Sequence, residues 1–151
     1  MMNFAKLEYR LNDEKNHFPA LYHYEQLDVH EIFCRRLCDY FIKDGKIFRK
    51  TSSAKEQHSF VIYVEEDHEE ELFLDAKTYE HVTLEIRLYK ENEPSPLLFT
   101  YNLSSHKDVL AYFDNDYLQL GEYEYEYISS EIDEDRSTYV LYVDLTGYKY
   151  E

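Results

Sequence analysis

The sequence predicts an α+β fold made by tandem duplication of a β-β-α-β-β module, with antiparallel sheet and two helices in one compact unit. Two observations carry this. The phrase Leu7-Glu8-Tyr9-Arg10-Leu11 returns as Leu84-Glu85-Ile86-Arg87-Leu88, an offset of 77. The residues after each phrase then agree in type and in order, as an internal repeat requires. Pro19 falls on Pro96, Tyr22 on Phe99, Tyr24 on Tyr101, Asp28 on Ser105 and Ile32-Phe33 on Val109-Leu110. With an offset of 79, Phe60-Val61-Ile62-Tyr63-Val64-Glu65 lies over Tyr139-Val140-Leu141-Tyr142-Val143-Asp144.

In chain order, residues 4–11 and 20–26 alternate as two strands around the polar turn Asn12 to Asn16. Asp28 opens a helix predicted over 29–44, its side chain capping the first free amides while Glu31 reaches back. Phe33, Leu37, Tyr40 and Phe41 recur at helical spacing, and Gly45 suits the left-handed end. Strands 46–51 and 58–65 follow around a polar loop, Ser52 to Gln57. Phe60 to Val64 is apolar on both faces, which predicts a central strand covered on each side. Glu65 to Glu71 is an acidic, solvated run, and Leu72-Phe73-Leu74 a short connecting strand.

The second half repeats the order. Strands 81–90 and 97–103 flank the turn Asn92 to Pro96, and Ser105 and Asp108 cap a helix over 106–114. Strand 117–128 places Tyr123, Tyr125 and Tyr127 on one face and Glu122, Glu124 and Glu126 on the other. An acidic loop, 129–137, leads to the last strand, 138–146. The repeats are thus 1–76 and 77–151. With no Gly/Pro/Ser linker between them, they are expected to pack about a pseudo-two-fold axis.

Composition sets limits on partners. The net charge is −16 in 151 residues, with 44% apolar and 17% aromatic side chains. The chain is too apolar for disorder, and its field repels nucleic-acid phosphates and anionic lipid. A protein partner, itself basic, is expected; direct nucleic-acid or membrane binding is not. Only Cys34 and Cys38 occur, and no secretory or apolar spanning stretch is visible, so a cytoplasmic address is expected.

Four constellations invite chemistry. His30, Cys34 and Cys38 fall on successive turns of one helix face, a spacing that suits zinc. Cys34 aligns with Ala111 and His30 with Lys107, however, so the positions read as packing, and no metal or cofactor is expected. Arg35, Arg36, Lys43, Lys46, Arg49, Lys50 and Lys55 form a basic island in an acidic chain; pairing with acidic surface is the stronger reading. The Glu-Tyr ladder at 122–127 could seat organic cations, though an amphipathic strand explains it more simply. The acidic runs lack the Gly-centred loop of a calcium site.

Phosphate loops and hydrolase or metalloprotease motifs are missing, so a non-catalytic role is expected. The leading expectation is an acidic cytosolic binding or regulatory protein working through charged surface. In its strongest form it is an inhibitor whose carboxylates imitate a nucleic-acid backbone. The alternative is a small-molecule sensor for an organic cation or aromatic compound, with Tyr22, Tyr24, Phe99, Tyr101 and Tyr125 walling a pocket between the repeats.

Overall fold

A computed structural model describes residues 3–70 and 76–151. The expected strand 72–74 lies outside the described residues, as does the last residue of the acidic run. Among the described residues ten strands pair into one mixed sheet with two α-helices, an α+β architecture. The first half contributes β1 (Phe4–Leu11), β2 (Ala20–Asp28), α1 (Val29–Leu37), β3 (Tyr40–Lys43), β4 (Lys46–Lys55) and β5 (Phe60–Glu66). The second contributes β6 (Thr83–Leu88), β7 (Leu97–Asn102), α2 (His106–Leu110), β8 (Tyr117–Leu120), β9 (Tyr123–Asp133) and β10 (Thr138–Lys149). The order is β2-β1-β5-β4-β3-β9-β10-β6-β7, with β8 on β9. No described helix is long and apolar enough to cross a membrane.

Several expectations need correction. The sheet is mixed rather than antiparallel, because β1/β5, β3/β9 and β6/β10 run parallel. The helix expected over 29–44 stops at Leu37. Cys38 turns extended (φ −71, ψ 136), and the next residue is drawn away by distant bonds: Asp39 N–H donates to the Ser130 carbonyl at 2.9 Å. The Asp39 carboxylate also accepts from the Tyr127 hydroxyl (2.6 Å) and from the Ser130 amide (3.1 Å). Residues 40–43 become β3, and Asp44 and Gly45 (φ 55 and 74) make the two-residue hairpin turn into β4. Among the described residues each half therefore holds five strands and a helix, not four strands and a helix. The second helix covers 106–110 instead of 106–114. The stretch expected as one strand over 117–128 folds back at Gly121 into β8 and β9, and β9 runs on through the expected loop to Asp133. β4 extends through the expected loop to Lys55.

The repeated phrases occupy matching places. Leu7 faces Phe60 across β1/β5, and Leu84 faces Tyr139 across β6/β10, with the same register through each pair. Strand alternation sends Leu7, Tyr9, Leu84 and Ile86 into one core with Ile32, Cys34, Val109 and Phe113 of the helical layer. Glu8/Arg10 and Glu85/Arg87 face the other way and close equivalent pairs, at 2.8 and 2.9 Å. The junction is not repeated. β3 pairs with β9, and among the described residues β8 has no corresponding pairing with β4.

Candidate functional site

At the junction lies a cavity of about 330 Å³. Leu27, Val82 and Ile132 give it apolar wall; Glu31, Arg35, His106, Glu134 and Tyr139 supply its polar groups. The polar groups come from α1, α2 and the β9–β10 hairpin, and the apolar wall from β2, β9 and the residue before β6, so the cavity lies where the two halves meet.

The polar wall starts on α1. Asp28 accepts from the His30 amide at 2.8 Å, fixing the helix start and placing Glu31 and Arg35 one turn apart on one face. The second arm of the expected capping box does not form. Glu31 turns instead to Arg35 (Nη2–Oε2 2.8 Å) and to His106 across the cavity (Nε2–Oε1 3.2 Å). Arg35, buried, also bonds Glu134 at 2.9 Å and Tyr9 at 3.3 Å, and its guanidinium lies 5.0 Å from the Tyr24 ring centroid. Glu134 accepts from Tyr24 (2.7 Å) and from Lys43 as well. Burial works to raise the Glu134 carboxyl, but the bonds from Lys43, Arg35 and Tyr24 hold it below its ordinary value.

His106 links the two walls. Burial keeps the imidazole below its usual range despite the nearby Glu31 and Asp28 carboxylates, which favours the neutral ring. A neutral ring that meets a carboxylate at Nε2 must donate there, so Nδ1 accepts from the Tyr139 hydroxyl at 2.8 Å. Both nitrogens are thus committed, and His106 acts as a spacer between Glu31 and buried Tyr139.

The second half carries no copy of this arrangement. At the offset of 77 Arg35 falls on Tyr112, whose ring stacks on Tyr101 (5.5 Å), the residue that falls on Tyr24. Where the first half holds a cation against a ring, the second holds a ring against a ring.

The anticipated site residues are distributed as follows. Tyr22 meets Phe41 and Phe48, and Tyr24 meets Tyr9. Phe99 stacks on Tyr101, while Tyr125 is buried in β9. Among the described residues no ring contact joins the two groups; Tyr24 bonds Glu134 in the polar wall, and Tyr22 touches it through Lys43, whose ammonium lies 5.3 Å from the Tyr22 ring centroid. Cys34 and Cys38 are buried with free thiols; burial pushes Cys34 up to about 12 and raises Cys38 too. The Cys34 thiol donates to the His106 carbonyl at 3.3 Å, while His30 is half-exposed beside Asp28 (3.3 Å). Among the described residues no group of three or more His, Cys, Asp or Glu is placed to hold a metal.

The basic island divides rather than forming one patch, although Lys55 shares the Phe60 ring with Arg36, at 5.2 Å. Arg35 and Lys43 enter the polar wall, Arg49 pairs with Glu65 at 2.7 Å, and Lys50 bonds the Arg36 carbonyl. Arg36 lies over Phe60 at 5.4 Å, and Lys46 is exposed in the hairpin. The Glu31–Arg35 pair was readable from its i,i+4 spacing. His106, Glu134 and Tyr139 gave no such signal, because only the tertiary fold brings them to α1.

Comparison with protein-family models, with curated proteins and with solved structures gives no match.

Proposed function

We propose that the protein is a non-catalytic binding module whose cavity between the halves receives a small organic cation. The junction cavity carries this reading: its size, about 330 Å³, is at the small end of ligand sites. Its lining holds Glu31, Glu80, Asp133 and Glu134 against the single guanidinium of Arg35. Lys43 and Arg136 bond Glu134 and Asp133 from outside the lining, and acid still exceeds base. Leu27, Val82 and Ile132 suit a compact apolar body on the cation. Binding is favoured over catalysis because His106 has both nitrogens engaged and the two cysteines are held as neutral thiols. Two buried cysteines without a disulfide between them fit the cytosolic address expected from the sequence.

The test is thermal unfolding with choline, putrescine, spermidine and benzylamine, on the native chain and on Val82→Phe, which fills the cavity without changing charge. A ligand at about 100 times its Kd adds about 2.7 kcal/mol, roughly 5–10 °C in a chain of this size. At least one probe should raise Tm in the native chain, and Val82→Phe should abolish the rise. No response to any probe, or an equal response in the filled variant, refutes the proposal.

We also propose that the halves descend from one duplicated module of five strands and a helix. The shared register of β1/β5 and β6/β10 and the matching Glu-x-Arg pairs support this.

A further inference from the structure

Beyond the cavity, a second surface lies where β8 pairs with the start of β9 and the end of β10 runs along the same stretch. It comprises residues 117–126, from β8 and the start of β9, and 144–151, from the end of β10 and the two residues after it. Tyr117 is 59% exposed, Tyr148 56% and Leu145 50%, large values for side chains of this kind. Register places Tyr117 beside Glu126, and Glu126 beside Asp144, in one row across three strands. Glu124, two residues before Glu126, shares that face; it accepts from the Tyr150 hydroxyl at 3.1 Å, and Tyr150 packs edge-on against Tyr148 at 4.9 Å. Among the described residues Glu124, Glu126 and Asp144 form no ion pair. The face therefore presents three unneutralised carboxylates between aromatic rings.

The same stretch shows how such a surface holds a cation. Lys149 places its ammonium 5.8 Å from the Tyr123 ring centroid and 3.6 Å from a Glu122 carboxylate oxygen. That is a lysine seat made from one tyrosine face and one glutamate. The face bearing Tyr117, Tyr148, Glu124, Glu126 and Asp144 has the same components with no lysine in it. Beside it, β8 pairs only with β9 among the described residues, which leaves its outer backbone edge open to an extended chain.

We infer that this face docks a lysine- or arginine-bearing extended segment of a protein partner, with tyrosine rings and carboxylates seating its cations. Charge complementarity selects the partner, and the rings distinguish this face from the rest of an acidic surface.

The experiment measures binding of a fluorescein-labelled octalysine peptide by anisotropy at low and physiological salt. Tyr117→Ser/Tyr148→Ser preserves charge and removes two exposed rings, so it should weaken binding about fivefold. Glu124→Gln/Glu126→Gln/Asp144→Asn should weaken it further. Glu14→Gln/Glu91→Gln/Glu93→Gln removes as many charges elsewhere and should leave affinity within about twofold. Equal weakening by the two charge triples, or no effect of removing the rings, overturns the inference and leaves net charge as the cause. All the substituted tyrosines are exposed, and an unchanged Tm certifies each fold. These variants should leave the response to small cations intact, which separates this failure from failure of the cavity.

Discussion

Among single residues, Glu131 is placed to respond to pH. It lies buried in β9, accepts from the Tyr142 hydroxyl, and sits beside Tyr40 of β3 with Asp133, Arg136 and Glu70 nearby. Burial pushes its carboxyl from 4.5 up to about 7. Folding therefore takes up a proton between those two values. Its contribution to stability is full below the unfolded pKa and is lost as pH rises through about 7, with a slope up to about 1.4 kcal/mol per unit. Glu131→Gln stays neutral and should match the native chain near pH 4 but exceed it at pH 8. Urea midpoints at the two pH values decide the matter; a constant gap between the proteins would refute it. The neighbouring Glu85 behaves in the opposite way. Burial works to raise it, but bonds from Arg136 (2.9 Å), Arg87 (2.9 Å) and Tyr79 (2.8 Å) outweigh burial and lower its pKa. Two buried carboxylates on one sheet face thus differ because one has guanidinium partners and the other a phenol.

Among elements, the corner from α1 into β3 and β4 shows how a residue can be read correctly inside the wrong structure. Gly45 adopts φ 74, the left-handed conformation that a helix end and a two-residue hairpin both require. The hairpin is what forms. Asp44 and Gly45 amides donate to the two Asp135 carboxylate oxygens at 2.8 and 2.9 Å, fastening the turn to the β9–β10 hairpin. A Cβ at Gly45 would meet nothing within 4 Å, so substitution there costs backbone strain alone. Gly45→Ala should lower stability by about 1–2 kcal/mol, and Gly45→Asn by less, since Asn tolerates this conformation better. Chemical denaturation of both variants checks this. Equal stability of Ala and native chains would mean the turn adjusts freely.

At the scale of the molecule, the two halves share one sheet through β3 and β9 and one core through α1 and α2. If the halves are duplicated modules in a rough two-fold relation, the step from β10 back to β1 equals the step from β5 to β6. A permuted chain in which 77–151 precedes 1–76, closed by a linker as long as 67–82, should then unfold in one cooperative transition. Loss of that transition would count against the two-fold relation, which the one-sided β3/β9 junction already limits. The buried strands themselves are insensitive to chain order, because each β1/β5 and β6/β10 pair forms within one half.

Much of the fold was legible because apolar periodicity records which side of an element is buried. Leu7, Tyr9, Leu84 and Ile86 announce the core face, and the offset between the repeated phrases carries through to the strand register. The run Tyr40-Phe41-Ile42 was ambiguous, since a short apolar stretch fits helix and strand alike. What decided it was Asp39 bonding to Ser130, and Phe41 stacking on Tyr9 at 3.9 Å. The polar wall was equally hidden: Glu31 and Arg35 are neighbours by spacing, but His106, Glu134 and Tyr139 reach them only in the folded chain. By itself the sequence determined the α+β class, the net negative charge and the inward faces of β1 and β6, because these depend on local alternation and composition. Only the tertiary structure decided the mixed sheet, the junction and its cavity, because burial patterns say that a face is covered without saying by what.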